Sequence, residues 1–446
     1  MPNHRTRRLF LKGSATAGVV ALAGCTGGDD PEEEPTDDDQ DDDHDDETEV
    51  AGYEVWALDQ GTDTIYIYEP HDDHLDLEET IDVNGLEGVP DSGVIPHMID
   101  YTSDYSYAAV ACTGGARVLV FDTESKELIG NIETGPGSHF ASFSPDDDYL
   151  TVDVIGENRI AKVEADLEAG EFEETDEIVL EGVENQGEAN DPVCHQFDGH
   201  GRSIHTLGPS YHDAGVVVVD HEDFSIDTSW SDEELPANCG TVPHPTEDKF
   251  YLTAGLPTPT DDDGEPVDGE EGVGSYYVLD TSGDEVELID EGDTGGIDAH
   301  GFWFPSSGDE LWVLNRETND GVIVDPDTDE VVEDIEAFGP AQSDDVNERD
   351  APDIMWASPD GEYMFTTLRG PAPLSGDPHA ATGVTPGFSV IDIASREIEE
   401  VVEPDPIDDY SEDDIEDDDV PVPDFHGIGV RPLGEYDTEI PTSPSY

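Results

Sequence analysis

The feature that most constrains the fold is an internal repeat that runs through most of the 446 residues. Each copy contains an apolar run that ends in an acidic residue, then a short polar turn, then a second apolar run. The copies are VLVFDTESKELIGNI ending at Ile132, VVVVDHEDFSI at Ile226, YYVLDTSGDEVELI at Ile289, VIVDPDTDEVVEDI at Ile335, FSVIDIASREIEEVV at Val402, and a looser one, IYIYEPHDDHLDLEETI, at Ile81. Such a repeat indicates one supersecondary unit used several times around a shared core.

A second element precedes each copy and completes the unit. It consists of a short strand, a turn resembling Ser-Pro-Asp-Gly, and another strand, as in FSPDDDYLTV around Pro145 and ASPDGEYMFTT around Pro359. Four short strands in roughly 40 to 70 residues are typical of a β-propeller blade. Seven innermost strands are predicted, starting near His97, His139, Cys194, Cys239, His300, Asp353 and His426.

The two ends of the repeat region complement each other. Residues Tyr53 to Val83 supply the outer three strands of a blade without an innermost one, and His426 to Val430 supply an innermost strand alone. Pairing these segments closes the ring and removes exposed sheet edges. The predicted fold is therefore an all-β, seven-bladed β-propeller over residues 51–440, and its repeat resembles the YVTN type.

The N-terminus predicts export and lipid anchoring. Arg7 and Arg8 begin the segment Arg-Arg-Leu-Phe-Leu-Lys, which resembles a twin-arginine signal, and the apolar run from Ala15 to Ala23 is too short to span a bilayer. Leu-Ala-Gly-Cys at positions 22–25 resembles a lipobox. The resemblance implies a signal peptide over residues 1–24, lipid modification of Cys25, and a location on the outer face of the cell membrane.

The charge of the chain limits the environment and the partners that the protein can have. The chain has 114 acidic and 15 basic residues, for a formal net charge of −99. Residues 25–50 are nearly all Asp, Glu, Pro, Gly and Thr, which predicts a disordered acidic tether. The composition resembles that of haloarchaeal proteins, because molar salt shortens the Debye length to about 3 Å and screens the repulsion. A nucleic-acid partner is excluded, since phosphate binding needs basic patches.

A residue position that recurs at the same distance before the turn in each blade predicts a site at one mouth of the channel. In six blades the residue six positions before the turn is of a metal-ligand type, namely His97, His139, Cys239, His300, Asp353 or His426. In the seventh blade this offset falls on Val193, followed by Cys194 and His195. Imidazole, thiolate and carboxylate groups suit transition metals. We expect a metal, copper first, with three or four true ligands.

The expected first ligands are His139, Cys239 and His300, with His97 and His426 as a second subsite. Two alternatives stay open, a packing role for these residues and a site for an organic ligand or haem. Cys194 and Cys239 begin adjacent inner strands, so a disulfide competes with ligation through the thiolates.

Long insertions predict a functional face around this ring. Arg369 and His379 lie on one of them, the loop from 369 to 385, and are candidates for binding a cofactor. For Arg369 the alternatives are an anion contact and a plain surface position.

A His ring at one mouth of a seven-bladed propeller resembles nitrous oxide reductase, the haem nitrite reductase propellers, and the selenium-binding or methanethiol oxidase propellers. The resemblance implies copper chemistry, although Cys239 and Asp353 replace histidines and the sequence has no Cys-x-x-Cys-His motif for c-type haem. The alternative functions are a non-catalytic propeller that binds a surface protein or glycan, and a lactonase-like hydrolase with a similar turn style.

Overall fold

A computed structural model of the protein describes residues 52–434 and 436, apart from the internal positions 72–73, 184–189, 209–214, 238–239, 262–265, 268, 306–307, 344, 377 and 404–420. The described chain forms seven antiparallel sheets of four strands each, arranged as a β-propeller. The predicted fold is confirmed. The predicted signal peptide, the predicted acidic tether and Cys25 lie outside the described residues.

Six blades are continuous in sequence. Blade 1 has strands β4 Pro96–Tyr101, β5 Tyr107–Cys112, β6 Arg117–Asp122 and β7 Leu128–Glu133; blade 2 has β8 Ser138–Phe143, β9 Tyr149–Val154, β10 Arg159–Asp166 and β11 Glu171–Val179; blade 3 has β12 Asp191–Phe197, β13 Arg202–Gly208, β14 Val216–Asp220 and β15 Ser225–Trp230. Blade 4 has β16 Thr241–Pro243, β17 Lys249–Leu256, β18 Val273–Asp280 and β19 Glu287–Asp293; blade 5 has β20 Ala299–Trp303, β21 Leu311–Asn315, β22 Asp320–Asp325 and β23 Glu330–Ile335; blade 6 has β24 Pro352–Ala357, β25 Tyr363–Leu368, β26 Gly387–Asp392 and β27 Glu397–Val402.

The closing blade joins the two ends of the chain. It contains β1 Tyr53–Asp59, β2 Thr64–His71, β3 His74–Asp82 and the C-terminal β28 Phe425–Pro432, in the order β28-β1-β2-β3. Strand β28 pairs with β1 from Tyr53 opposite Pro432 to Asp59 opposite Phe425. This pairing confirms the closure that the half-repeats at the two ends predicted. One short helix, α1 Pro378–Ala381, lies in the loop between β25 and β26.

Burial follows the position of each strand in its blade. Every residue of β1 is buried, whereas β3 and β11 on the outer edge are mostly exposed. Inner strands are covered on both faces by neighbouring blades, which explains their nearly continuous apolar runs. Aromatic rings fill the wedges between blades, as where Trp303 stacks on Trp356 with ring centroids 4.4 Å apart.

The turns between inner strands repeat one geometry. Ser144 and Ser358 each donate their backbone N–H to the carbonyl of the tyrosine that begins the next strand, at 2.8 Å. Asp147 and Gly361, at the last position of the turns, have φ values of 59° and 72°. A left-handed residue is what the Ser-Pro-Asp-Gly pattern predicts there.

No helix within the described residues is long and apolar enough to cross a membrane.

Candidate metal centre at the channel mouth

The predicted ring residues lie in β-bulges at the start of the inner strands. Strand pairing passes from Pro96 to Met98, from Ser138 to Phe140, from Ala299 to Phe302 and from Pro352 to Met355, which leaves His97, His139, His300 and Asp353 outside the ladder. His426 is skipped in the same way between β28 and β1. Bulges change the direction of a side chain relative to its strand, and these turn five ligand-type residues toward the axis.

The seventh blade resolves the ambiguity between Cys194 and His195. The bulged residue there is Val193, and pairing resumes at Cys194. The Cys194 Sγ lies 3.8 Å from His139 Nδ1. His195 instead bonds to Asp153 on the neighbouring blade. Cys194 therefore accompanies the ring, and placing His195 there is wrong.

The central cluster consists of His97, His139, Cys194, His300, Asp353 and His426. The imidazoles of His97 and His426 stack with centroids 3.7 Å apart, and His97 and His139 lie 4.2 Å apart. His97 Nε2 and His139 Nε2 approach to 2.9 Å. The ligand atoms of His300, Asp353 and His426 all lie within 4.8 Å of one another.

The structure groups these ligands differently from the trio expected first. His300 falls with Asp353 and His426, whereas His139 pairs with His97. Cys239 lies outside the described residues, so its ligation and the disulfide with Cys194 stay predictions.

Hydrogen bonds fix the tautomers of two ring histidines. His97 Nδ1 lies 2.8 Å from Gln60 Oε1, and the Gln60 amide is oriented because its Nε2 donates to Asp424 Oδ2 at 2.6 Å. His426 Nδ1 lies 3.1 Å from the His97 carbonyl oxygen. A carbonyl oxygen only accepts, so both histidines carry their proton on Nδ1. Their Nε2 lone pairs are thereby left to face the cluster.

Burial keeps these imidazoles neutral. It lowers the pKa of His97 well below the usual value, and the neighbouring His426 and His139 lower it further. Burial likewise holds the pKa of His426 well below the usual value, against the opposing effect of Asp353. Neutral imidazole is the form that binds metals. The site therefore needs no deprotonation at neutral pH to offer these two nitrogens.

Two buried guanidinium groups hold Asp353 in place. Arg369 Nη1 lies 2.6 Å from Asp353 Oδ2, and Arg316 Nη1 lies 3.5 Å from Oδ1. The carboxylate also lies 2.9 Å from His300 Nε2 and 3.6 Å from His426 Nε2. Burial alone would raise the pKa of Asp353, but the guanidinium charges of Arg316 and Arg369 outweigh it and hold that pKa well below its usual value.

Arg369 has a different role from the one its loop position indicated. It is fully buried, and its Nε donates to Asp424 Oδ1 at 2.7 Å while Nη1 contacts Asp353. The interpretation as a surface residue is wrong, because both partners are internal carboxylates. Asp424 in turn accepts from Gln60 and from the backbone of Leu374. The arginine thus connects Asp353 of the central cluster to the segment that closes the propeller.

The long loops meet over the same face. His379, on α1, is partly buried, and its Nε2 lies 3.4 Å from Glu317 Oε1. Glu317 also accepts hydrogen bonds of 2.6 Å from the backbone and hydroxyl of Thr258. These contacts join loops from three blades. A cofactor-binding role for His379 stays a prediction.

A second buried cluster, which the sequence did not reveal, joins blades 2 and 3. Asp153 accepts from His195 Nδ1 at 2.6 Å and from His205 Nδ1 at 2.7 Å, one histidine on each oxygen. His195 Nε2 lies 2.6 Å from Ser142 Oγ, and His205 Nε2 lies 2.7 Å from Ser203 Oγ. We call these five residues the inter-blade clamp.

The clamp has one consistent assignment of protons. Both histidines donate from Nδ1 to Asp153, so both Nε2 atoms accept from the serine hydroxyls. His221 Nε2 then donates to Ser203 Oγ at 2.7 Å, and the Tyr149 hydroxyl donates to His221 Nδ1 at 2.8 Å. The order Ser-His-Asp matches that of a hydrolase triad. All five clamp residues are 0% exposed, however, so no substrate reaches the serines.

Comparisons with known proteins find only distant similarity. No protein-family model and no curated protein matches the sequence. Similar solved structures include the hydrazine synthase of Kuenenia stuttgartiensis, at 14% identity and a TM-score of 0.47 over 69% of this chain and 79% of that one. Apo AztD from Citrobacter koseri gives 12% identity and a TM-score of 0.47 over 86% and 99% of the two chains.

A putative 6-phosphogluconolactonase from Bacteroides fragilis gives 17% identity and a TM-score of 0.45, over 64% of this chain and 81% of that one. At such identities and TM-scores these similarities carry no argument about function. The YVTN-type and haloarchaeal resemblances stay predictions.

Proposed function

We propose that this protein is an exported, lipid-anchored β-propeller that binds a transition-metal ion in its central cluster. The observation that carries the proposal is the orientation of His97 and His426. Each donates Nδ1–H to a carbonyl oxygen and thereby directs the Nε2 lone pair into a buried volume shared with other ligand types. An oriented, neutral histidine backed by a carbonyl is the usual arrangement in metal sites.

Distances support ligation by the residues present. His97 Nε2 and His139 Nε2 are 2.9 Å apart. Bonds of about 2.0–2.1 Å to a tetrahedral ion put two nitrogens about 3.3 Å apart, so small side-chain movements suffice. His300, Asp353 and His426 supply the second set of ligands, with Asp353 bridging the two histidines. His139 is the least buried of the six and offers the approach from solvent.

The donor set favours copper, and the reduced ion in particular. Imidazole suits copper, and the Cys194 sulfur beside His139 suits Cu(I). Bound copper would supply one-electron redox chemistry.

Export and anchoring rest on the N-terminal sequence. The Arg7-Arg8 pair and Cys25 occur in the order that a twin-arginine lipoprotein signal requires. Replacing both arginines with lysine should keep the protein inside the cell, and mass spectrometry of the membrane fraction should find a lipid-modified Cys25. An intact signal on the membrane-bound chain would contradict this part of the proposal.

Metal analysis of the purified chain tests the binding itself. The protein is loaded with copper in molar salt, passed through a desalting column and analysed for bound metal. We expect about one buried ion per chain, and a loss of that ion in His300→Ala and His139→Gln. The exposed His200, which pairs with Asp248, gives the matched control His200→Ala. Less than about 0.2 ion per folded chain contradicts the proposal. If zinc binds and copper does not, the site is a zinc site and the assignment of copper is wrong.

A further inference from the structure

The outer hairpin of the closing blade carries a second set of ligand-type side chains, far in sequence from the central cluster. Strands β2 and β3 meet at its tip, where His71 pairs directly with His74. Two positions farther along the ladder, Glu69 pairs with Asp76. The chain has 15 histidines in 446 residues, and here two of them are cross-strand partners.

Strand geometry places these side chains on one face. Residues two apart along a strand point to the same side, and directly paired residues share a side with Cβ atoms about 4.5–5.5 Å apart. His71, His74 and Asp76 therefore project together, with Glu69 beside them. Eight consecutive positions of β2 pair with β3, so the ladder beneath holds the tip in place.

The measured distances match a metal site. The imidazole centroids of His71 and His74 are 6.0 Å apart, and His74 Nε2 lies 3.0 Å from Asp76 Oδ1. One ligand atom from each of the three residues lies within 4.8 Å of the others. We propose that His71, His74 and Asp76 form a solvent-open site for a divalent transition cation such as Ni²⁺, Cu²⁺ or Zn²⁺.

The ligand set selects the class of cation. Two imidazole nitrogens and a carboxylate suit nickel, copper and zinc, whereas Mg²⁺ and Ca²⁺ need oxygen ligands. The acidic surface attracts cations generally, but only the imidazoles confer preference for a transition metal. Imidazole binds a metal in its neutral form, so metal binding competes with protons.

Exposure distinguishes this site from the central cluster. His74 and Asp76 are nearly half exposed, with side-chain values of 45% and 47%, whereas five of the six central residues are buried and His139 is partly buried. A metal held on a solid support can therefore reach the hairpin but not the ring. The two sites can be measured separately for this reason.

Retention on immobilised Ni²⁺ tests the proposal directly. The untagged mature chain is applied in molar salt at pH 7.5, where salt suppresses adsorption by charge alone. We expect retention of the parent chain, release by imidazole, and loss of retention in the double variant His71→Ala, His74→Ala. Asp76→Asn should elute earlier than the parent. Flow-through of the parent, or undiminished retention of the double variant, overturns the proposal.

A matched control makes the outcome specific. His200→Ala removes a similarly exposed histidine that has a carboxylate partner, Asp248, at 2.7 Å, and it should be retained like the parent. Loss of retention in His200→Ala at an unchanged melting temperature would assign the binding to another surface and contradict the hairpin site.

Discussion

The central cluster and the inter-blade clamp contain the same kinds of residue and differ in where the second nitrogen of each imidazole points. In the clamp, both histidines donate Nδ1 to Asp153 and direct Nε2 to a serine hydroxyl. In the central cluster, His97 and His426 donate Nδ1 to carbonyl oxygens and direct Nε2 toward other ligand types. A closed network stabilises a fold, whereas converging lone pairs provide a place for a cation.

The largest expected effect comes from opening the clamp. Asp153→Ala leaves two buried imidazole N–H groups without an acceptor across the interface between blades 2 and 3. We expect a loss of about 3–5 kcal/mol in the free energy of unfolding, measured by denaturant titration in molar salt. Asp223→Ala, at an exposed turn of blade 3, is the matched control and should change little. A small effect of Asp153→Ala would remove the distinction between the two clusters.

A pH dependence should follow from the same network. Burial lowers the pKa of His205 to about 4, although the Asp153 carboxylate opposes that shift. The unfolded chain binds that proton below about pH 6.5, so the native state loses stability as the pH falls from about 6.5 toward 4. We expect the stability gap between the parent and His205→Asn to shrink by about 3 kcal/mol between pH 7 and pH 4.

Measuring a difference between two chains matters here because protonation of the many surface carboxylates changes both equally. The same denaturant titrations at fixed molar salt give the gap at each pH. A gap that stays constant over this range would show that His205 does not titrate as a buried neutral base.

A smaller effect on stability, but a specific one on binding, is expected at Gln60. Its Oε1 orients His97, and removing that acceptor in Gln60→Ala should weaken metal affinity about 10–100-fold while lowering stability by only about 1–2 kcal/mol. Competition with a chelator measures the affinity. Gln342→Ala removes an exposed amide that donates to the Asn319 carbonyl oxygen, and it serves as the control. Equal affinity in the parent and Gln60→Ala would contradict the role of the fixed tautomer.

The sequence predicted the structural features that recur in every blade, but few of the features that occur only once. The constant six-residue offset placed His97, His139 and His300 at one height because seven similar blades map one offset to one radius. The half-repeats predicted the pairing of β1 with β28. The clamp was missed because Ser142, Asp153 and His205 lie on three different strands and share no common offset.

Arg369 and Cys194 show two other limits of sequence patterns. Arg369 lies in a long polar loop, and nothing local indicates that Asp353 and Asp424 bury it completely. The choice between Cys194 and His195 depended on a bulge at Val193. A bulge shifts the alternation of side chains by one residue, and strand pairing across the blade determines where it occurs.

Copper K-edge X-ray absorption on the loaded chain tests the central claim most directly. The His71→Ala, His74→Ala background removes the hairpin histidines, so the signal comes from the buried site. The account predicts at least two imidazole ligands per ion from the multiple scattering of the rings, with fewer in His300→Ala and a sulfur contribution only if Cys194 binds. A first shell of oxygen alone, or a spectrum unchanged by His300→Ala, would contradict it.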